Sequence, residues 1–423
     1  MQITNYPNID EKVIYEKLDN GLLLILSQDT TKHTAFAELM TNFGGMKKDF
    51  IADGKEYHLI DGIAHLLEHT LIDNSKYGNV LQHFNEQYVT FNGITTKETT
   101  SFYIDTAKNF ESALVKLINI VNVATFDEKS LETSKLPIYD EIRKNEDRRF
   151  YNYNRKYTES IFANSDFRNN LGTLEEIKNV DYELVKKCHD IFYHPQNQIL
   201  MISGNFDMDE IKELVIKTYE EINKEKHEFK FIDIDISDKL NKKEITIIDE
   251  KEDELVNVTF KLDISHLTGH EGLMAAYYIS YFLRDNFDDS SSIYEDLISK
   301  RYTVFPIDYS ISKIYNYLFI DIGCFTNEKE YFVNQVLERM KNKSQIEEEK
   351  FTLMKKREIV SQILKEESCN ALMRSIVDNI RDHSYYDHDK LSDVESLSIE
   401  GYKEFIDKFD FSDYFIITQK KGE

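Results

Sequence analysis

"GIAHLLEHTLID", residues 62–73, places two histidines and a glutamate on an otherwise apolar segment. In an α-helix His65 and His69 stand one turn apart, and Glu68 follows His65 by three residues, so all three side chains share a face. Two imidazoles at i and i+4 can bind one metal ion. A glutamate beside them can take a proton from water, which is the geometry a zinc hydrolase needs. His-x-x-Glu-His is the inverted order of the zincin motif. Read as structure alone, the same residues form a partly buried polar cluster on a Leu- and Ile-rich helix, so the context decides.

A catalytic zinc usually takes three protein ligands and leaves one position open. The best third ligand is Glu141 in "LPIYDEIRKNED" (136–147), on a separate helical tract, with Asp140 and Glu146 as competitors. Such a metal would staple two helices. Other histidine groups read as structural. His266 and His270 in "SHLTGHE" flank Gly269 in a loop-like setting, and Cys188, His189 and His194 lie in an apolar tract. A Gly-rich phosphate loop, a Gly-x-Ser-x-Gly elbow and a kinase-like set are all absent from the sequence.

The chain has 423 residues, which fits roughly two to four domains. Hydrophobic residues are 41% and aromatics 13%, enough to build several cores. The formal net charge is −25, from 77 acidic and 52 basic residues. That field repels nucleic acid and anionic lipid headgroups, and the absence of Trp further disfavours a base-stacking surface. The three cysteines, Cys188, Cys324 and Cys369, lie far apart and form no CxxC pair, so a reducing compartment is expected. The first residues carry no signal or transit pattern, and no run is long and apolar enough for a membrane span. A cytoplasmic location is the resulting expectation.

"KVIYEKLDNGLLLILSQD" predicts two strands around an Asn20-Gly21 turn, and "HTAFAELMTNFGG" a third. A helix is predicted from near Asp61, strand alternation returns in "VTFNGITTKETTSFYIDT", and "NFESALVKLINIVNV" reads as an amphipathic helix. The second half repeats this coarse plan. The expected fold is α+β, two tandem similar domains, each an antiparallel-rich sheet packed with helices. The expected boundaries are a zinc-binding domain over 1–220, a charged linker over 221–244 in which part pairs as a strand, and a second domain over 245–423.

Taken together, these segments resemble the M16 metallopeptidase family over essentially the whole chain. "GIAHLLEHTLI" looks like its inverted zinc motif and "YDEIRKNED" like the segment with its third ligand. The resemblance implies one Zn²⁺ per chain on His65, His69 and Glu141, with Glu68 as general base. "FNGITTKETTSFYI" is similar to the family's edge-strand segment, with Asn92, Thr95, Thr100 and Tyr103 in step and Gly93 at the usual Ala. It implies substrate binding by Asn92 and Gly93 through β-addition. "FYHPQNQILMISGNFD", Phe192 to Asp207, resembles the close of the first half.

One departure has consequences. The family's second half carries an Arg and, seven residues on, a Tyr that help stabilise the tetrahedral intermediate. Ile298 and Phe305 stand at those positions, and neither Arg301, Tyr302 nor Tyr309 restores the spacing. The resemblance therefore implies the small two-domain subunit class, in a heterodimer whose homologous partner supplies the Arg/Tyr pair, with a homodimer as the alternative. The expected activity is peptide cleavage in a closed chamber, such as processing of a modified peptide or bacteriocin precursor. A general oligopeptide-degrading role and a non-catalytic structural subunit are the alternatives.

Overall fold

The turn predicted at Asn20-Gly21 forms. Gly21 takes the left-handed conformation at φ 91°, and the Leu22 N–H donates to the Asn20 side chain at 3.0 Å. Strands β2 (Glu11–Lys17) and β3 (Leu23–Gln28) run antiparallel from it, and β1 (Gln2–Tyr6) pairs antiparallel with β2. A computed structural model describes residues 2–6, 11–148, 151–161, 170–232, 243–249, 254–267, 270–314, 316–343, 346–366, 373–377 and 390–421. It divides into two compact units.

The first unit comprises Met1–Asp147, Arg168–Ile234 and Glu367–Arg374. Its strands continue with β4 (Ala35–Thr41), β5 (Asp49–Ala52), β6 (Lys55–His58), β7 (Thr90–Thr95), β8 (Thr100–Thr106), β9 (Gln198–Gly204) and β10 (Phe229–Phe231). Seven form one sheet in the order β1-β2-β3-β9-β4-β8-β7, and three a smaller one, β10-β5-β6. Because strand side chains alternate between faces, the register sorts them. Phe91, Ile104 and Ala37 align on one face, next to Gly93, Phe102 and Leu39, while Asn92, Tyr103 and Glu38 align on the other. The apolar face is covered by α1 (Ile63–Asp73), α2 (Val80–Asn85), α3 (Phe110–Asn122) and, outside α1, α4 (Glu128–Glu146).

The second unit comprises Arg148–Phe167, Asp235–Glu366 and Ser375–Glu423. Its helices include α5 (Tyr151–Ile161), and α6 (Leu174–Asn179), α7 (Tyr182–Phe192) and α8 (Met208–Ile222) belong to the first unit. Its sheet joins β11 (Glu244–Asp249), β12 (Leu255–Asp263), β13 (Asp308–Ile314), β14 (Tyr317–Phe325) and β15 (Tyr414–Lys421) in the order β11-β15-β12-β14-β13. Packed with it are α9 (His270–Phe287), α10 (Ser292–Ser299), α11 (Lys329–Asn342) and α12 (Glu348–Glu366).

The two sheets share one connectivity. In the first, β3-β9-β4-β8-β7 places the first strand beside the last, then the second, fourth and third. The order β11-β15-β12-β14-β13 repeats it. In both, the first and last strands are parallel and the other neighbours antiparallel. The tandem α+β repeat read from the sequence is thus present over five strands of each unit, to which the first adds β1, β2 and its smaller sheet.

The boundaries drawn from sequence differ from these units at Glu367–Arg374, which fall in the first unit, and at one helix. Residues before 220 were expected in the first domain, yet α5 packs on the second unit's sheet. Tyr153 is buried against Ile247, Phe415 and Ile417. The Tyr157 hydroxyl donates to Asp321, which also accepts from Thr259 Oγ1 at 2.6 Å and Asn257 Nδ2 at 3.2 Å. Two tyrosines one turn apart mark a face that needs covering, but not which sheet covers it. Within the expected linker, α8 ends at Ile222 and β10 pairs with β5, while residues 233–242 lie outside the described residues. Cys369 also lies outside them.

Tyr157→Phe removes one hydrogen bond to a carboxylate and keeps the ring. We expect it to destabilise the second unit by about 1.5–3 kcal/mol, measured by urea unfolding. An unchanged midpoint would show that the bond contributes nothing.

Candidate metal and active site

Helix α1 starts where only glycine fits. Its N-cap, Gly62, has φ 79°, and a Cβ there would lie 2.4 Å from the Leu171 carbonyl oxygen. Leu66, Leu67 and Leu71 then turn into the core and are essentially inaccessible. His65, Glu68 and His69 occupy the flank of the same helix, as the i, i+3, i+4 spacing requires.

Helix α4 runs alongside. Asp127 and Ser130 form a reciprocal capping box at its start, and Leu131, Ser134, Ile138 and Ile142 make its buried stripe. Asn74, which caps the C-terminus of α1, donates from Nδ2 to Ser134 Oγ at 2.9 Å. Two helical turns after Ser134, on the same face, comes Glu141. Buried Lys135 ties α4 to the end of α6, donating to the Val180 carbonyl at 2.7 Å.

These contacts bring Glu141 to the histidines. Its Oε2 lies 3.6 Å from His65 Nε2 and its Oε1 3.4 Å from His69 Nε2. The two rings meet edge-on with centroids 4.7 Å apart. Side-chain exposure is 13% for His65, 20% for His69 and 41% for Glu141, so the cluster opens to solvent on one side. Among the described residues, His65, His69 and Glu141 are the group of three whose donor atoms could hold a metal ion. Asp140 points to solvent and pairs with Arg143 at 3.3 Å, and Glu146 is exposed.

The donor set fits zinc. Contacts of 3.4 and 3.6 Å are long for hydrogen bonds. Ligand atoms about 2.0–2.2 Å from a tetrahedral centre are separated by about 3.3–3.6 Å, the spacing found here. Burial, and secondarily the like charge of His69, push the His65 imidazole down to about 3, which keeps it neutral as a ligand must be.

Glu68 is almost completely buried, 6% exposed, beneath the edge strand β7. Thr95 Oγ1 donates to its Oε2 at 2.5 Å. Gly93 faces its other oxygen. Burial raises the Glu68 carboxyl to about 7, the Thr95 hydrogen bond opposes that rise, and Glu141 adds to it. A group of that strength both accepts and returns a proton near neutrality. Asn92 is exposed on the opposite face of β7, and β7 pairs with β8 while its outer edge has no strand among the described residues.

Three other histidines make structural contacts. His189 bonds the Val121 carbonyl at 2.9 Å, His194 accepts from the Gln196 N–H, and His270 pairs with Asp393. Ile298 and Phe305 are both exposed, and the Phe305 ring packs on Phe325. Arg301, in the left-handed region, follows α10. The sequence reading assigned no role to Thr95, Asn74 or Ser134. For Thr95 the signal was its position two residues beyond Gly93, on the same face of the strand.

Among the described residues no helix is long and apolar enough to cross a membrane. Residues 24–174 match the family model described as "Insulinase (Peptidase family M16)", and residues 179–358 that of the "Peptidase M16 inactive domain". The chain is 27% identical over 362 residues, 84% of each chain, to the "Uncharacterized zinc protease YmfH" of Bacillus subtilis. It is 23% identical over 225 residues to the "Insulin-degrading enzyme homolog" of Dictyostelium discoideum, of which the matched part is 23%. Its fold superposes on an M16-like peptidase from Alicyclobacillus acidocaldarius with a TM-score of 0.85 at 18% identity, covering 97% of this chain and 99% of that one. Pitrilysin matches with a TM-score of 0.75 at 14% identity, covering 99% of this chain and 46% of pitrilysin. With both halves matched in order, the chain belongs to the M16 peptidase family.

Proposed function

We propose that this chain is the zinc-carrying subunit of an M16 endopeptidase, with His65, His69 and Glu141 as ligands and Glu68 as general base. The reading rests on one observation: three metal-compatible donors within 4.8 Å of one another, beside a buried carboxylate and a strand edge that no other described strand covers. Zinc, when bound, supplies Lewis acidity that polarises a carbonyl and lowers the pKa of water.

The chain's own residues do the rest. The outer edge of β7 offers unpaired backbone groups, so an extended peptide adds there as a further strand, its backbone alongside Asn92 and Gly93. Recognition through backbone favours extended segments over folded ones. Glu68 takes the proton of the attacking water and returns it to the leaving amine.

Completion of the site by a homologous partner bearing an Arg/Tyr pair is part of the proposal, supported by Ile298 and Phe305 at the corresponding positions. So are a closed chamber, a cytoplasmic location and the processing of a modified peptide or bacteriocin precursor. The same two positions favour a second reading, a non-catalytic subunit that keeps the fold. Such a subunit has no use for three donors at ligand spacing.

Purified chain should hold about one zinc. Glu141→Gln should lose it, while Glu68→Gln should keep it and lose at least about a hundredfold in peptide cleavage. Zinc content by atomic absorption with a quenched fluorogenic peptide assay checks both. Absence of zinc from the wild-type chain would leave the scaffold reading.

Oxyanion donors are typically worth about 10²–10³ in rate. Adding a homologue that carries the Arg/Tyr pair should therefore raise cleavage by about that factor over the chain alone. Equal rates with and without it would show that the chain needs no partner.

A further inference from the structure

We infer that Gly93 and Thr95 form a seat on the edge strand that positions the Glu68 carboxylate. The seat has two parts. Glu68 Oε1 sits only 2.7 Å from where a Cβ on Gly93 would lie, with Glu68 Cγ at 3.1 Å and Ile72 Cδ1 at 3.0 Å. The carboxylate thus uses space that any other residue would fill. Its second oxygen, Oε2, accepts from Thr95 Oγ1 in a short hydrogen bond of 2.5 Å.

Residues 93 and 95 alternate with Asn92 and Ile94, so both face α1 from the strand. One oxygen is located by contact and the other by a directed hydrogen bond. Neither Gly93 nor Thr95 belongs to the cluster of His65, His69 and Glu141, so the seat acts on the base and not on the ligands. A hydroxyl has one proton, and Thr95 Oγ1 also lies 3.3 Å from Thr100 Oγ1, so the much shorter approach to Glu68 takes it.

The consequence follows from where the seat is. The strand that holds Glu68 is the one on which an incoming peptide would pair. Base and peptide backbone are then located from a single element, and errors in their relative position do not accumulate through the rest of the fold. The φ of Gly93 is not in the left-handed region, so the backbone does not require glycine there, and the missing Cβ leaves room for Glu68 to lie closer to the strand than an alanine would allow.

The catalytic consequence rests on the peptidase reading above, while the seat itself does not. In the active complex, Thr95→Val should lower kcat about tenfold to a hundredfold with KM and zinc content unchanged, and Thr95→Ser should restore most of the loss. Gly93→Ala should also lower kcat with zinc content unchanged, because the methyl displaces the flexible end of Glu68. An unchanged kcat, or equal losses for Thr95→Val and Thr95→Ser, would overturn the positioning role.

A thermal double-mutant cycle tests the seat without any activity. Gly93→Ala should lower Tm of the full chain by about 2–4 °C and have no such effect in a Glu68→Ala background. Equal shifts in both backgrounds would overturn the seat. If the cycle shows coupling and no peptide is cleaved under any condition, the seat stands and the peptidase reading fails.

Discussion

The site depends on the packing of α4 against α1. Helix α1 serves two environments at once, with its leucines in the core and its histidines on the flank, and neither histidine reaches a third donor on its own helix. Glu141 arrives from α4, whose position along α1 is marked by the Asn74–Ser134 hydrogen bond. A slip of one turn along an α-helix is about 5.4 Å, larger than the 3.4–3.6 Å separations it would have to preserve. The Asn74–Ser134 bond is modest in energy. Its importance is geometric, since it fixes register where apolar ridges alone tolerate sliding.

The repeat shows what is particular to the first unit. In connectivity α9 and α12 of the second unit stand where α1 and α4 stand in the first, after the second strand and after the fourth. There the helix pair is joined by aromatics: Tyr281 of α9 meets Phe351 of α12 edge-on, with ring centroids 5.5 Å apart. In the first unit the corresponding junction holds two imidazoles and a carboxylate. One scaffold therefore supports either an apolar seam or a polar one. The apolar seam gains directly from burial, while the polar one costs desolvation that the core around α1 must offset.

Much of this was legible in the sequence because it is local. The Asn20-Gly21 turn, the alternation of β7 and β8, and the shared face of His65, Glu68 and His69 each follow from backbone periods of two or 3.6 residues. What was not legible depends on tertiary placement. Glu141 was the preferred third ligand, with Asp140 and Glu146 as nearby competitors of the same chemistry. Only the docking of α4 turns Glu141 inward and leaves Asp140 beside Arg143 in solvent. Likewise the Tyr153 and Tyr157 pair announces a face without naming the sheet that covers it, which is why α5 was placed with the wrong half. Gly93 read as a departure in a strand, and its reason appears only with the Glu68 carboxylate lying against it.

The electrostatics of the site follow from one cause acting on opposite charges. Burial penalises whichever form is ionised, so it lowers His65 and raises Glu68. Both shifts reduce charge in the pocket near neutral pH, fully at His65 and partly at Glu68. A divalent cation reverses that logic, because its own charge favours the ionised carboxylate and still requires the neutral imidazole. Burial thus leaves His65 in the neutral state that a metal ligand needs, while Glu68 sits near the midpoint of its titration. The difference matches their places in the fold: His65 faces Glu141 at 3.6 Å, and Glu68 faces the edge strand at Gly93 and Thr95.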